Sequence, residues 1–306
     1  MIQKPKISIV TPSFNQGEFI EETICSILDQ AYPNLEYIIM DGGSTDSTIE
    51  ILKKYDSHIT YWESKNDRGQ SHAINKGLSR ISGDIFNWIN SDDIITDGTF
   101  KKIAELFQDP NTHCVAGNIE LFGSSNEIID TRIVKGTLQE TLNDVSIKQP
   151  STYYSIEAIN KMGLLNESLH YIMDYEWFHR FLLCFDTINI VETDHVFSRF
   201  RLHDASKTGS DIDAFERHKD DFWESAYKNT DRFNGPNSEL YNDIRIQKKI
   251  ANFFYKRCVI TYGERDFEAF SRYEKLVNVE HLMQNEKTEL KRMKFRKTVL
   301  PRFIFK

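Results

Sequence analysis

Cysteine is scarce and scattered: the 306 residues hold four, Cys25, Cys114, Cys184 and Cys258, with no CxxC pair. That spacing argues against a zinc knuckle, a dithiol redox pair or a disulfide scaffold, and it fits a reducing, cytoplasmic compartment. Long apolar runs are missing too. No stretch approaches the roughly 18 consecutive residues of a membrane-spanning helix. The opening Met1-Ile2-Gln3-Lys4-Pro5-Lys6 passes into strand-like residues without the apolar centre of a signal peptide. Both familiar phosphate cradles are absent. The first strand-to-helix turn reads Pro12-Ser13-Phe14-Asn15-Gln16-Gly17 rather than GxGxxG, and no GxxxxGK(S/T) loop occurs. A phosphate held on backbone amides in either way is not expected, so some other counter-charge must serve.

Positive charge is short overall, with 38 Lys and Arg against 46 Asp and Glu, and the net −8 argues against nucleic acid as a partner. The shortage is uneven. Residues 287–306 carry eight Lys or Arg and one Glu, a local +7 that leaves −15 on the remainder. What is plentiful is ordinary: 40% hydrophobic and 27% charged residues describe a soluble globular chain long enough to bury a full core.

The first 120 residues alternate strand and helix. Lys6 to Thr11 is a β-branched run expected to end at Pro12. Phe19, Ile20, Thr23, Ile24, Ile27 and Leu28 repeat at helical spacing. Further strands are predicted at 35–40, 59–62 and 84–89, with helices between them. Such spacing predicts βαβ units and a largely parallel α/β sheet with helices on both faces. From about residue 113 the pattern is mixed, with strands at 113–122, 128–134 and 195–202 and helices at 156–162 and 173–184. After residue 210 the chain reads as helical. Two domains are therefore expected, residues 1–210 and 211–306.

Ligands collect at the carboxyl ends of strands in such sheets. Polar clusters fall there in series: Thr11 to Asn15, Asp41, Asp67 to Gln70, and Asn90-Ser91-Asp92-Asp93. Two adjacent carboxylates at a strand end invite a hard divalent cation that bridges to substrate phosphates. The plainer reading is a solvated loop whose Asp93 or Asp97 caps the next helix. Four polar strand ends in concert favour the first.

The ordered set Ser8-Ile9-Val10-Thr11-Pro12-Ser13-Phe14-Asn15, Asp41-Gly42-Gly43-Ser44-Thr45-Asp46 and Asn90-Ser91-Asp92-Asp93 resembles the signatures of glycosyltransferase family 2 over roughly residues 5–208. The resemblance implies a GT-A fold, a Rossmann-like and mostly parallel sheet flanked by helices. It also implies inverting, metal-dependent transfer from a nucleoside-diphosphate sugar, a UDP-sugar first, with Mn2+ or Mg2+. On this basis Thr11, Pro12, Ser13 and Asn15 line the nucleotide pocket and Asp41 accepts from the base. Asp67 and Gln70 hold the nucleoside. Asn90, Ser91 and Asp92 occupy the DxD position, with Asn at its first place and Asp92 as metal ligand. Asp174 aligns with the family's catalytic base, although Met173 replaces the Glu that precedes it there. Gln149 and Trp177 fall on the acceptor side. His203 completes the metal shell or meets the diphosphate, and Lys207 faces the leaving group.

A carboxylate in a cleft suits removal of a proton from an attacking hydroxyl. Asp174 is equally placed for a plain first-turn helix carboxylate. The implied acceptor is a glycan or lipid-linked molecule in cell-surface polysaccharide assembly. The basic segment 287–306, where cations mix with Phe295, Phe303 and Phe305, suits peripheral contact with the anionic inner face of a membrane. A solvated helix end or an intersubunit contact is the competing reading. Two rival functions remain open, a nucleotide-sugar-binding module without turnover and a nucleotidyltransferase. The second should carry Lys or Arg after the first strand, and Pro12 to Gly17 carries neither.

Overall fold

The computed structural model describes residues 4–123, 127–129, 132–202, 212–228 and 241–299. The chain divides into two compact units, residues 1–141 with 145–218, and residues 142–144 with 219–306.

The first unit is built on strands whose apolar runs lack alternation: β1 (Ile7–Ser13), β2 (Leu35–Asp41), β3 (Tyr61–Ser64) and β4 (Ile85–Trp88). Every residue of β1 and β4 is buried, as a parallel sheet covered on both faces requires. Three helices connect them: α1 (Ile20–Leu28), α2 (Thr48–Lys54) and α3 (Gln70–Leu78). β1 runs parallel to β2 and β4, and β2 to β3. Ile7, Ile9, Ile24, Ile39 and Ile85 form part of one continuous core around these strands. α3 lies close on β1, because an added Cβ at Gly77 would stand 2.5 Å from Val10 Cγ1.

Past β4 the sheet becomes mixed. The chain continues through β5 (Ile94–Ile95), α4 (Thr99–Leu106), β6 (Cys114–Phe122), β7 (Glu127–Ile129) and α5 (Leu138–Asn143). A 3-10 turn at Gln149–Ser151 leads to β8 (Thr152–Ser155), α6 (Ile156–Met162), α7 (Met173–Cys184) and β9 (Ile190–Arg201). The strand order is β3-β2-β1-β4-β8-β6-β9-β5, with β7 on β6. β8 is antiparallel to β4 and β6, whereas β9 is parallel to β6.

β1 does not stop at Pro12. It continues to Ser13, and the pairing with β2 runs on to Ser13↔Asp41. Pairing with β4 ends at Val10↔Trp88. The Val10 carbonyl accepts from Ile89 on that side, so the proline two residues on points its missing N–H to the side where no strand remains.

The second unit is helical: the end of α8 (Ile212–Lys228), α9 (Ile244–Gly263), α10 (Phe267–Glu274) and α11 (Gln284–Val299). Trp223, Phe254, Cys258 and Phe270 are buried in it. Asp220 accepts from Arg257 and Tyr273, each at 2.6 Å, joining α8, α9 and α10. Among the described residues no helix is long and apolar enough to cross a membrane.

Candidate active site

The register of the parallel strands sets the polar strand ends side by side. Ser13 lies opposite Asp41, and Asp41 opposite Ser64. The Asp41 carboxylate is buried and accepts from Gly43 N at 3.0 Å, Ser44 N at 2.9 Å and Ser64 Oγ at 2.6 Å through Oδ2, and from Ser44 Oγ through Oδ1. These bonds order the Gly42-Gly43 loop and leave acceptor capacity on Oδ1. Asn15 reaches the same loop. Its N–H donates to Ser44 Oγ at 2.7 Å, and its Oδ1 accepts from Thr45 at 2.9 Å. It adopts φ 51°, in the left-handed region that Asn tolerates. Asp67 lies against Gly42, where a Cβ would stand 3.0 Å from its Oδ2, while its Oδ1 caps the turn at Gly69 N. The Ser13 hydroxyl is enclosed and makes no hydrogen bond among the described residues. A buried polar group of this kind calls for a partner, which a bound ligand or water supplies.

The loop after β4 closes as a turn, with Asp93 N donating to Asn90 O at 3.1 Å. Asn90 Oδ1 accepts from Gln70 Nε2 at 2.7 Å, tying the loop to the start of α3. The two acids then part. Asp93 is buried, with its oxygens facing the Arg201 N–H at 3.4 Å and Asn90 Nδ2 at 3.3 Å. Burial, reinforced by the neighbouring Asp92 charge, pushes its carboxyl well above the usual range. Asp92 is half-buried. Its carbonyl receives Arg201 Nε at 3.1 Å, and the same guanidinium bonds Glu22 and stacks on Phe19 and Phe122, 4.9 and 4.4 Å from the ring centres.

α7 delivers Asp174. From Ile172 to Leu183 every residue is buried except Asp174, which is half-exposed. Glu176 and Arg180 form a buried pair at 2.9 Å, and Arg180 also donates to Met162 O at 2.6 Å, which fixes the helix to α6. At the amino end Ser71, beside Gln70, meets Met173 Sδ. The Asp174 segment, the start of α3 and the Asn90 loop therefore form one connected rim. Glu167 strengthens it, taking Arg68 at 2.6 Å and Asn75 at 3.2 Å.

Three expected pocket residues turn inward instead. Thr11 is fully buried, with its hydroxyl 3.2 Å from Tyr37. Gln149 donates to Asn87 Oδ1 at 2.9 Å and Trp88 O at 2.7 Å, holding β4 rather than facing an acceptor. Trp177 is wholly enclosed among Phe86, Trp88 and Tyr154, and its Nε1 donates to Gly163 O at 2.9 Å. Tertiary packing claims these side chains. Pro12 and Ser91 are buried beside the rim. His203 and Lys207 lie outside the described residues. Two residues escaped the sequence reading. Phe14 is 60% exposed at the end of β1, a signal available only as an aromatic among polar neighbours. Arg201 is a cation two places before the expected ligand His203.

The donor set can be weighed for a metal. Among the described residues no group of three or more His, Cys, Asp or Glu side chains converges, and Asp93 is committed internally. Asp92, half-buried on the same turn, is the other acid of the pair. Such a set fits a small hard cation completed by substrate phosphates and water, and not an all-protein cage. A cleft of about 190 Å³, lined by Pro5, Asp84, Phe107, Asp109, His113 and Glu157 among others, opens at the opposite, amino-terminal edge of β1 and β4.

Known proteins agree with this architecture. A candidate teichuronic acid biosynthesis glycosyltransferase of Bacillus subtilis, TuaG, is 41% identical over 95 residues, 29% of this chain and 37% of that one. The structure of S. aureus TarS residues 1–349 with UDP-GlcNAc matches with a TM-score of 0.62 at 15% identity, over 96% of this chain and 91% of that one. A mannosyltransferase of Pyrobaculum calidifontis, solved with GDP-Man and Mn2+, matches with a TM-score of 0.51 at 15% identity, over 96% and 85%. The two structures share the GT-A arrangement of sheet and flanking helices. The model of glycosyl transferase family 2 matches residues 8–168, more than half of the length, and the chain belongs to that family.

Proposed function

We propose that the protein is an inverting glycosyltransferase that moves a sugar from a UDP-sugar to a hydroxyl of a glycan or lipid-linked acceptor in cell-surface polysaccharide assembly. The observation that carries this reading is the exposure pattern of α7. From Met173 to Leu183 the helix is buried except at Asp174, a half-buried carboxylate in its first turn, next to the rim that also holds Asp92.

Asp174 takes the proton of the acceptor hydroxyl as its oxygen attacks the anomeric carbon, and the bond from that carbon to the diphosphate oxygen breaks. Attack from the face opposite the leaving group inverts the centre. Asp41 accepts from the base through Oδ1, and Phe14 offers a ring face for stacking, an interaction worth about 1–3 kcal/mol per base. Asp67, Gln70 and Asn90 hold the nucleoside, and the enclosed Ser13 hydroxyl acquires its missing partner. Asp92, with His203, would hold Mn2+ or Mg2+, which neutralises the diphosphate and offsets the charge growing on it. The UDP-GlcNAc of the TarS structure and the GDP-Man and Mn2+ of the mannosyltransferase structure support this assignment.

A panel of sugar nucleotides with Mn2+ tests the reading. Released nucleoside diphosphate is expected, with Asp174→Asn lowering transfer about 10²–10⁴-fold while leaving UDP binding intact. Asp92→Ala is expected to lose metal-dependent donor binding. Near wild-type rates in either variant end that assignment. Release of pyrophosphate would indicate nucleotidyl transfer, and a bound but intact donor would indicate a binding module.

A further inference from the structure

The cations of α11 sort into two faces. Toward the helical unit, Lys294 and Lys297 approach Glu274 at 3.5 and 3.8 Å, Lys297 lies 4.9 Å from the Phe270 ring centre, and Lys287 donates to Glu280 O at 3.4 Å. Leu290 and Met293 are buried on that side. On the other side Lys291, Arg292 and Arg296 are exposed and have no ion-pair partner among the described residues. Phe295 stands among them at 68% exposure. Positions i and i+4 share a helix face, so Lys291 with Phe295 and Arg292 with Arg296 form one cationic surface around an aromatic ring.

We infer that this outer face of α11 docks on an anionic lipid surface. Cations that serve the fold are spent on Glu274. The three that remain have no ion-pair partner among the described residues, and the exposed Phe295 ring lies on the same face. An aromatic ring between guanidinium and ammonium groups matches the headgroup level of a bilayer, where the ring enters the interface and the cations meet phosphates. The net charge of −8 argues against nucleic acid as the occupant. The charge of the chain sets the orientation: residues outside 287–306 carry −15, so an anionic surface repels the body and attracts this segment. The inference is independent of the transfer reaction, since it needs neither donor nor base.

Vesicle sedimentation of the full chain tests it, with phosphatidylcholine alone and with about 30% phosphatidylglycerol. Each cation near such a surface strengthens partitioning about five-fold. The triple variant K291Q/R292Q/R296Q is therefore expected to bind anionic vesicles on the order of 100-fold more weakly, and F295S about ten-fold more weakly. The wild type should ignore neutral vesicles. A control, K53Q/K101Q/K275Q, removes the same charge elsewhere and should bind as the wild type does. Unchanged binding by the triple variant, equal loss in the control, or no wild-type binding to anionic vesicles overturns the inference. So does binding of a DNA duplex as tightly as vesicles with F295S without effect, which would make the face a polyanion site.

Discussion

Lys249 offers the sharpest physical test of the helical unit. It is 3% exposed, and its ammonium donates to Asn143 O at 3.0 Å, a carbonyl that Lys256 also approaches at 3.5 Å. Burial, then repulsion from Lys256 and more weakly Lys219, outweighs attraction by Asp144 and lowers its pKa from 10.5 to about 7. The unfolded chain keeps this proton to near 10.5, so between about pH 7 and 10.5 it binds more protons than the folded one. Stability must then rise with pH. A shift of this size corresponds to about 5 kcal/mol at 1.36 kcal/mol per unit. The Trp223 and Phe253 ring centres, each 5.7 Å from Nζ, favour the cation and reduce this to about 4 kcal/mol. Urea melts at pH 6.5, 8 and 9.5, comparing wild type with Lys249→Met, isolate the group from all other titrations. The wild type should gain about 3 kcal/mol relative to the variant over that range. Parallel pH profiles would refute the reasoning, and a relative loss would reverse its sign.

Glu36 should show the opposite window in the sheet unit. Burial alone would raise its carboxyl, but hydrogen bonds from Lys6 at 2.7 Å, Ser8 at 2.6 Å and Ser82 at 2.7 Å outweigh it and bring the pKa to about 2. The depressed value contributes stability above the unfolded pKa that is lost as pH falls from about 4.5 toward 2. Glu36→Gln should cost about 3 kcal/mol at pH 7 and flatten the acid limb of the denaturation profile, and an unchanged limb would contradict this. Arg201→Met should loosen the Asp92 loop, raising the Mn2+ and donor dissociation constants at least about ten-fold by calorimetry, a 1.4 kcal/mol effect. Arg201→Lys should recover little, because an ammonium lacks the planar fork. Wild-type Mn2+ affinity in both variants would show that the clamp does not position the loop.

The sheet was legible where each strand is apolar on both faces. β1, β2 and β4 follow from short runs rich in Ile with Val, Leu and aromatic residues, broken only by single polar residues such as Ser8, Glu36 and Asn87, and the helical spacing between them predicts parallel pairing. The remainder was hidden for identifiable reasons. β5 is two residues long and exists only because Ile94 and Ile95 pair with Arg199 and Ser198. The first half of β9 carries Glu192 and Asp194, whose charge conceals a strand that β6 recruits through Cys114↔Ile190 and Val115↔Val191. Pro12 looked like a terminus because sequence alone does not reveal on which side of β1 a neighbour has already ended.

The site was legible as a set of strand ends, but not as a division of labour. Adjacent Asp92 and Asp93 look equivalent in sequence, and only the fold, through the turn from Asn90 to Asp93, buries Asp93 and leaves Asp92 half-buried. Once Asp93 is buried against the Arg201 amide, the neighbouring Asp92 charge acts against its ionised form. Thr11, Gln149 and Trp177 mislead for the same reason. A polar or aromatic residue next to a site is drawn inward whenever a buried carbonyl or a packing gap needs it, as Trp88 O needs Gln149 and Gly163 O needs Trp177. Asp174 differs: alone among residues 172–183 it is only half-buried, and its Oδ1 accepts from the Tyr175 N–H at 2.8 Å. Its place in the first turn of α7 is the feature on which the proposed proton transfer rests.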